Sequence, residues 1–432
     1  MYQRILAAVA AALLLASCGI GGGASGNDGD GPTVITYWSW ISGSQEMVDR
    51  FNATHDDIQV VFERVPAGTA GGYSNMFNAV RAGRAPDVVT VEYPQLPGFV
   101  TQQVVQPLEP FGLDELEPEF PDWTWQQAAL GGRLSALPLN IGPTVLFYRA
   151  DLFEQYGYEP PTTWAEYRAT AERLRADHPD ATMTNFGSND AALFAALAWQ
   201  AGAEWFDTAT GHWQVNGVDE PTTRVAEYWE SLIADDLVTV GPTFEEQHVT
   251  ALQEGTSLTL IGGPWTAANI SRFVPELAGA WGAVPLPAWD EGAATSANYG
   301  GSALAIPQGA EHGEAAAEFI RWAATSPEAV DAIAGVNTSY PAHLGQAEIW
   351  GPGIEAANPF VDGMNLPETA AAAAATVDPD WEWGPDMTVG FARLVDETTT
   401  GLDRPGGLGD ALRRWQDATR AQLRQRGFDV SG

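Results

Sequence analysis

The side chains that could do chemistry in this chain are unequally informative. The six histidines (His55, His178, His212, His248, His312 and His343) are scattered with no ligand-like spacing, so each reads as a surface residue. No Walker loop, GxGxxG, GxSxG, HExxH or paired CxxC is present. With 56 Asp and Glu, some carboxylate pair will always resemble the acid and nucleophile of a glycosidase, so that pattern carries no weight. The expectation is a protein without catalytic residues, metal or cofactor. Tryptophan says more. It occurs 17 times, and Trp38, Trp40, Trp205, Trp265, Trp381 and Trp383 fall at strand ends or in loops. A sugar offers a C–H face that stacks on such rings and hydroxyls that pair with Asp, Glu, Asn and Arg. A single tryptophan usually packs a core, but this group favours a ligand cleft with an apolar lining and a few polar groups.

Strands and turns must position those rings. Leu258 to Ile261 is a short apolar strand, Gly262-Gly263-Pro264 breaks it, and Trp265 stands just before a helix start. Strand, tight turn, helix is how α/β proteins place ligand contacts at the carboxyl ends of strands. Upstream, Thr33 to Trp40 and Ile58 to Val65 read as strands and Gln45 to Asn52 and Asn75 to Gly83 as helices. Asp87 to Tyr93 is a buried strand with Glu92 and Tyr93 at its end, and Leu96 to Gln103 a short helix. This alternation predicts an open, mostly parallel sheet. Leu137 to Tyr148 is extended, interrupted by Pro138, Gly142 and Pro143, and reads as a crossing between lobes. Asn298 to Pro307, with Gly300 and Gly301, reads as a second crossing. Further helices are expected over 162–177, where Thr163 and Glu166 form a capping box, and over 190–201, 222–236, 245–254, 314–324, 327–334, 368–376, 386–400 and 408–427. Trp381 to Pro385 is an aromatic-rich loop.

At 432 residues the chain is too long for one core, and two domains are the natural expectation. Its formal net charge is −36, and all its basic side chains are arginines. So acidic a surface repels nucleic acid and anionic membranes. The one cysteine excludes an internal disulfide. It follows the apolar run Ile5 to Ala16, which is too short for a permanent membrane span and reads as a signal-peptide core. Leu15-Ala16-Ser17-Cys18 resembles the lipobox of bacterial lipoproteins, which makes Cys18 the lipidated first mature residue, 1–17 the signal peptide and 18–32 a Gly-rich flexible tether.

Taken together, these segments resemble an extracellular solute-binding protein of a bacterial ATP-binding-cassette importer, and most of all the carbohydrate-binding family that includes maltose-binding proteins. The resemblance rests on the lipobox, the strand ending Tyr37-Trp38-Ser39-Trp40, residues 79–89, the Leu139 to Phe153 crossing with its run Leu146 to Phe153, the Gly-Gly-Pro-Trp turn and Gly300 to Ile306. It implies an α/β fold of two lobes, 33–140 plus 302–343 and 141–301 plus 344–432, each a mostly parallel sheet flanked by helices, hinged by the crossings. It implies a sugar, a di- or oligosaccharide, held between the lobes by Ser39, Trp40, Glu92, Tyr93, Asn140, Trp205, Trp265, Tyr299, Gly300, Gly301, Trp381 and Trp383. It further implies delivery to membrane permease subunits by a monomer that binds no nucleic acid and is held by its lipid at the outer face of the cytoplasmic membrane. Maltose-binding members often carry charges where this chain has Ile41, Ser42 and Gly142, so the resemblance stops short of naming the sugar. A polyol, a glycerol-linked phosphodiester or a polyamine would suit the same fold, and a secreted glycosidase would show a similar aromatic cleft.

Overall fold

The computed structural model describes residues 31–431 apart from 209–210, 293–294, 403 and 405. Cys18, the signal peptide and most of the tether lie outside the described residues. Among those described, a six-stranded sheet forms the first lobe. Strand Thr33–Ser39 pairs in parallel with Ile58–Arg64 and with Val88–Glu92. It buries Ile35, Tyr37 and Ser39 on alternate positions, the period of a sheet with one face on a core. Val88 to Val91 are all buried, as expected for a strand covered on both faces. Helices Ser44–Asn52 and Gly72–Arg81 make the parallel connections, the former burying Met47, Val48 and Phe51 on one stripe.

The chain leaves this sheet along Leu137–Ile141. It passes Gly142, Pro143 and Thr144 and becomes Val145–Arg149, the middle of a three-stranded sheet in the second lobe. Thr259–Gly262 and Trp281–Pro285 flank that strand, both antiparallel to it. The chain returns as Ser302–Ala305, which inserts antiparallel between Val88–Glu92 and Leu137–Ile141, and Tyr340–Pro341 adds the edge. The two-lobed α/β architecture therefore stands, but the six-stranded sheet is mixed and the three-stranded sheet antiparallel, rather than mostly parallel. The cause is the route of the chain. A strand that re-enters from the other lobe has no helical crossover on its own sheet to turn it parallel, so it runs against its neighbours.

Helix Trp164–Asp177 carries the expected capping box: Thr163 Oγ1 accepts from the Glu166 amide at 3.1 Å and Glu166 Oε2 accepts from the Thr163 amide at 3.3 Å. Helices Asp122–Ala128, Ala150–Tyr156 and Leu344–Ala357 were not expected from the sequence. The last contains Pro352, a helix breaker by propensity, and is held by tertiary bonds. Gln346 Nε2 donates to Ser326 O at 2.8 Å and its amide donates to His343 Nδ1 at 3.1 Å.

Candidate functional site

The two crossings grip one another, and their grip fixes the floor between the lobes. Tyr299 donates its amide to Gly142 O at 2.7 Å, and the Gly142 amide donates to Asn298 Oδ1 at 2.7 Å. Thr144 donates its amide to Ala297 O at 2.9 Å, and its hydroxyl meets Ser296 Oγ at 3.0 Å. Glycine is required here by space: a Cβ on Gly142 would sit 1.9 Å from Tyr299 O. Gly300 and Gly301 have φ of +78° and +80°, and a Cβ on Gly301 would also press on Asn140 O and the Tyr93 ring at 2.9 and 3.0 Å.

On that floor stands Trp265, half-buried at the start of helix Thr266–Phe273. Its indole N–H donates to Tyr299 O at 3.1 Å, and the two rings tilt against each other with centroids 5.1 Å apart. The Tyr299 hydroxyl donates to Asp190 Oδ2. Asp190 caps helix Ala191–Gln200 in the second lobe, accepting the Leu193 amide at 2.9 Å. From the first lobe comes a matching set. Glu92 ends its strand and accepts the Tyr73 hydroxyl at 2.6 Å. Trp40, half-buried, meets Tyr73 edge-on with ring centroids 5.7 Å apart.

Glu92 and Asp190 each keep some open surface yet lie deep among protein atoms. Burial raises the Glu92 carboxyl above the ordinary range, against the lowering effect of the Tyr73 bond, and the Asp190 charge raises it further. Burial likewise raises Asp190, opposed by the bond from Tyr299 and by amides of the helix start. Tyr73 and Tyr299 are pushed well up, by burial first and then by the carboxylates they face. Neither carboxylate has a cationic partner among the described residues. The site thus holds two half-exposed rings and two acceptor carboxylates, one of each from either side. No group of three or more His, Cys, Asp or Glu that could hold a metal occurs among the described residues.

Other expected contacts prove to support the walls. Ser39 is fully buried, its Oγ accepting from the Ile41 amide and the Ser44 hydroxyl at 3.1 Å each. Tyr93 is fully buried and donates to Asn140 O at 3.1 Å, while Asn140 Oδ1 accepts the Ser302 amide at 3.0 Å. Trp205 corrects the expectation for it. Its ring is fully enclosed by Trp415, Trp381 and Phe194, at 5.0, 5.5 and 6.3 Å, and its N–H donates to Thr222 Oγ1, so no face is left for a ligand. Trp381 stacks flat on Trp199 at 5.1 Å, and Trp383 meets Trp381 edge-on at 5.1 Å. Both are buried with indole N–H groups that find no acceptor. They lie where the lobes meet: Gln127 Nε2, on a helix against the first sheet, donates to Trp381 O at 2.7 Å, and Thr388 bonds Gln95. Sequence reasoning missed Tyr73 and Asp190. Asp190 carried a usable signal as the cap of an expected helix; Tyr73, just ahead of the helix expected from Asn75 but inside the observed Gly72–Arg81, carried none.

The profile of the bacterial extracellular solute-binding proteins matches residues 37–330, well over half of the chain. The chain belongs to that family. Among its relatives is the arabinooligosaccharide-binding protein of Bacillus subtilis (strain 168), 25% identical over 311 residues, spanning 69% of this chain and 70% of the relative. The lactose-binding protein of Rhizobium radiobacter is 23% identical over 342 residues, spanning 74% and 76%. Among solved structures, the transporter-associated binding protein of B. animalis subsp. lactis Bl-04, in complex with beta-1,6-galactobiose, superposes with a TM-score of 0.82 at 23% identity over 93% of this chain and all of that one. The galacto-N-biose-/lacto-N-biose I-binding protein of Bifidobacterium longum gives the same TM-score at 22% identity over 94% and 100%. At such identities the superpositions establish the fold, and this extracellular solute-binding protein shares the two-lobed frame of both.

Proposed function

We propose that this solute-binding protein captures a di- or oligosaccharide between its lobes and delivers it to the permease of an ATP-binding-cassette importer. The observation that carries the reading is the paired set Trp40–Tyr73–Glu92 and Trp265–Tyr299–Asp190, one facing from each lobe. Rings offer stacking faces, and carboxylates with spare lone pairs accept sugar hydroxyls. The names of the relatives, which bind arabinooligosaccharide and lactose, support the same class. Gly300 and Gly301 join the proposed lining through their bends, and Trp381 and Trp383, buried at the lobe seam, back it from behind. A glycerol-linked phosphodiester fits poorly, because two acids without a cation would repel it. The mechanism is closure, not bond-making. A ligand that touches both lobes favours the closed state by the free energy of its second set of contacts. Micromolar affinity, roughly −8 kcal/mol, lies within what a few stacked rings and charge-assisted bonds supply.

We further propose that Cys18 carries the lipid that holds the protein, as a monomer, outside the cytoplasmic membrane. The first lobe is taken to extend to Ala357, past the expected end at His343, since helix Leu344–Ala357 bonds to Ser326. Titrating intrinsic tryptophan fluorescence with mono-, di- and trisaccharides and polyols tests the function. A saturable change with one sugar, lost in Trp265→Ala, is expected. A response only to an amine or a phosphodiester would overturn the ligand class.

A further inference from the structure

The segment between helix Pro327–Ile333 and strand Tyr340–Pro341 holds two almost fully buried polar side chains, Asn337 and Thr338. Buried polar groups persist where their hydrogen bonds are satisfied, so their partners show what they are for. Asn337 Nδ2 donates to Ser42 O at 2.8 Å, and Asn337 Oδ1 accepts the Ser339 amide at 2.7 Å. Thr338 Oγ1 donates to Pro264 O at 2.7 Å and accepts the Ala268 amide at 3.1 Å.

These partners are not arbitrary. Ser42 lies in the turn just after Trp40, and Pro264 immediately precedes Trp265. Ala268 is in the first turn of helix Thr266–Phe273, whose own preceding residue, Trp265, supplies no side-chain cap. An uncapped first turn leaves amide donors without partners, and the Thr338 hydroxyl, from a distant part of the chain, takes one of them. The two bonds run to different lobes. Asn337 and Ser42 belong with the first sheet, whereas Pro264 and Ala268 follow Thr259–Gly262 in the second.

We propose that Asn337 and Thr338 form a yoke that sets the two cleft tryptophans, Trp40 and Trp265, against each other, with Thr338 as the tie between lobes. They are positioning residues, almost fully buried behind the turns. The inference rests on the reading that these two rings face the bound sugar, but the ring positions themselves can be measured without any ligand.

The test is 19F NMR of the protein labelled with 5-fluorotryptophan, with signals assigned by Trp40→Phe, Trp265→Phe and Trp415→Phe. Thr338→Val keeps the shape and removes the hydroxyl. It should move the Trp265 resonance and leave that of Trp415, in the core, in place; Thr338→Ser should restore the wild-type position. Asn337→Ala should move the Trp40 resonance in the same selective way. If Thr338→Val does not fold, Thr338→Ala is read identically. With a sugar identified by titration, Thr338→Val should weaken binding about tenfold, as loss of buried hydrogen bonds at a positioning site implies. An unmoved Trp265 resonance in a folded variant, failure of Ser to restore it, or a moved ring with unchanged sugar affinity would overturn the yoke. A protein that binds no sugar still gives the ring positions, so failure of the ligand reading is told apart from failure of this one.

Discussion

At the scale of the residue, the structure separates tryptophans that share a sequence context but not a role. Trp205 and Trp265 both follow glycine-containing bends, yet one is enclosed and the other half-buried at the lobe boundary. Trp205→Ala should therefore cost about 3–5 kcal/mol of stability, the usual range for emptying an aromatic site in a core. Denaturant unfolding measures that cost, and sugar affinity of the folded fraction should be retained. The carboxylates give a second residue-scale prediction, this time in pH. Asp190 is raised in the folded protein by burial, so the folded state holds its proton at a pH where the unfolded chain has lost it. Stability from this group is fully present below the unfolded value and is lost as pH rises through the folded one. Asp190→Asn keeps an acceptor for Tyr299 and for the Leu193 amide but has no proton to lose. In the variant, the melting temperature should fall less between pH 4 and pH 7, a range of about three units above the ordinary aspartate value. A wild-type slope left unchanged by the substitution would show that Asp190 is not the group responsible.

At the scale of the element, what could be read from the sequence was whatever local chemistry determines. The Thr163–Glu166 box, the β-branched run of Val88 to Val91 and the strand–Gly-Gly-Pro-Trp–helix order are all written within a few residues of chain, and all appear where expected. Helix Leu344–Ala357 was illegible because Pro352 argues against it and bonds from Gln346 to a distant helix override that preference. Strand direction was illegible for a related reason. Alternating strands and helices imply parallel pairing only when each connection returns to the same sheet, and Leu137–Ile141 and Ser302–Ala305 each connect to the other lobe instead. The candidate site was half legible. Trp40, Glu92 and Trp265 sit at element ends, where ligand contacts concentrate in α/β folds. Tyr73 and Asp190 belong to the site only because tertiary packing carries them to Glu92 and Tyr299. Ser39, Tyr93 and Asn140, also expected at the cleft, turn inward and hold the walls together.

At the scale of the whole molecule, the net charge of −36 and the closure of two lobes must act on one another. In the proposed closure two acidic bodies come together, and at the seam the Asp190 charge already bears on Glu92 with no cation partner for either. Repulsion of this kind opposes the closed state and favours the open one in the absence of ligand. Salt screens it, since the Debye length shrinks from about 30 Å at 0.01 M to about 10 Å at 0.1 M ionic strength. A neutral sugar brings no charge of its own to be screened. Its affinity should therefore rise as sodium chloride is raised over that range, and the radius of gyration of the free protein in small-angle scattering should fall. A cationic ligand would do the opposite, because screening would weaken its attraction to the two carboxylates. Measuring affinity and radius at the two salt concentrations thus tests the closure mechanism and the charge of the ligand in one series. Affinity that falls with salt while the free protein still contracts would keep the closure mechanism and replace the neutral sugar by a charged one.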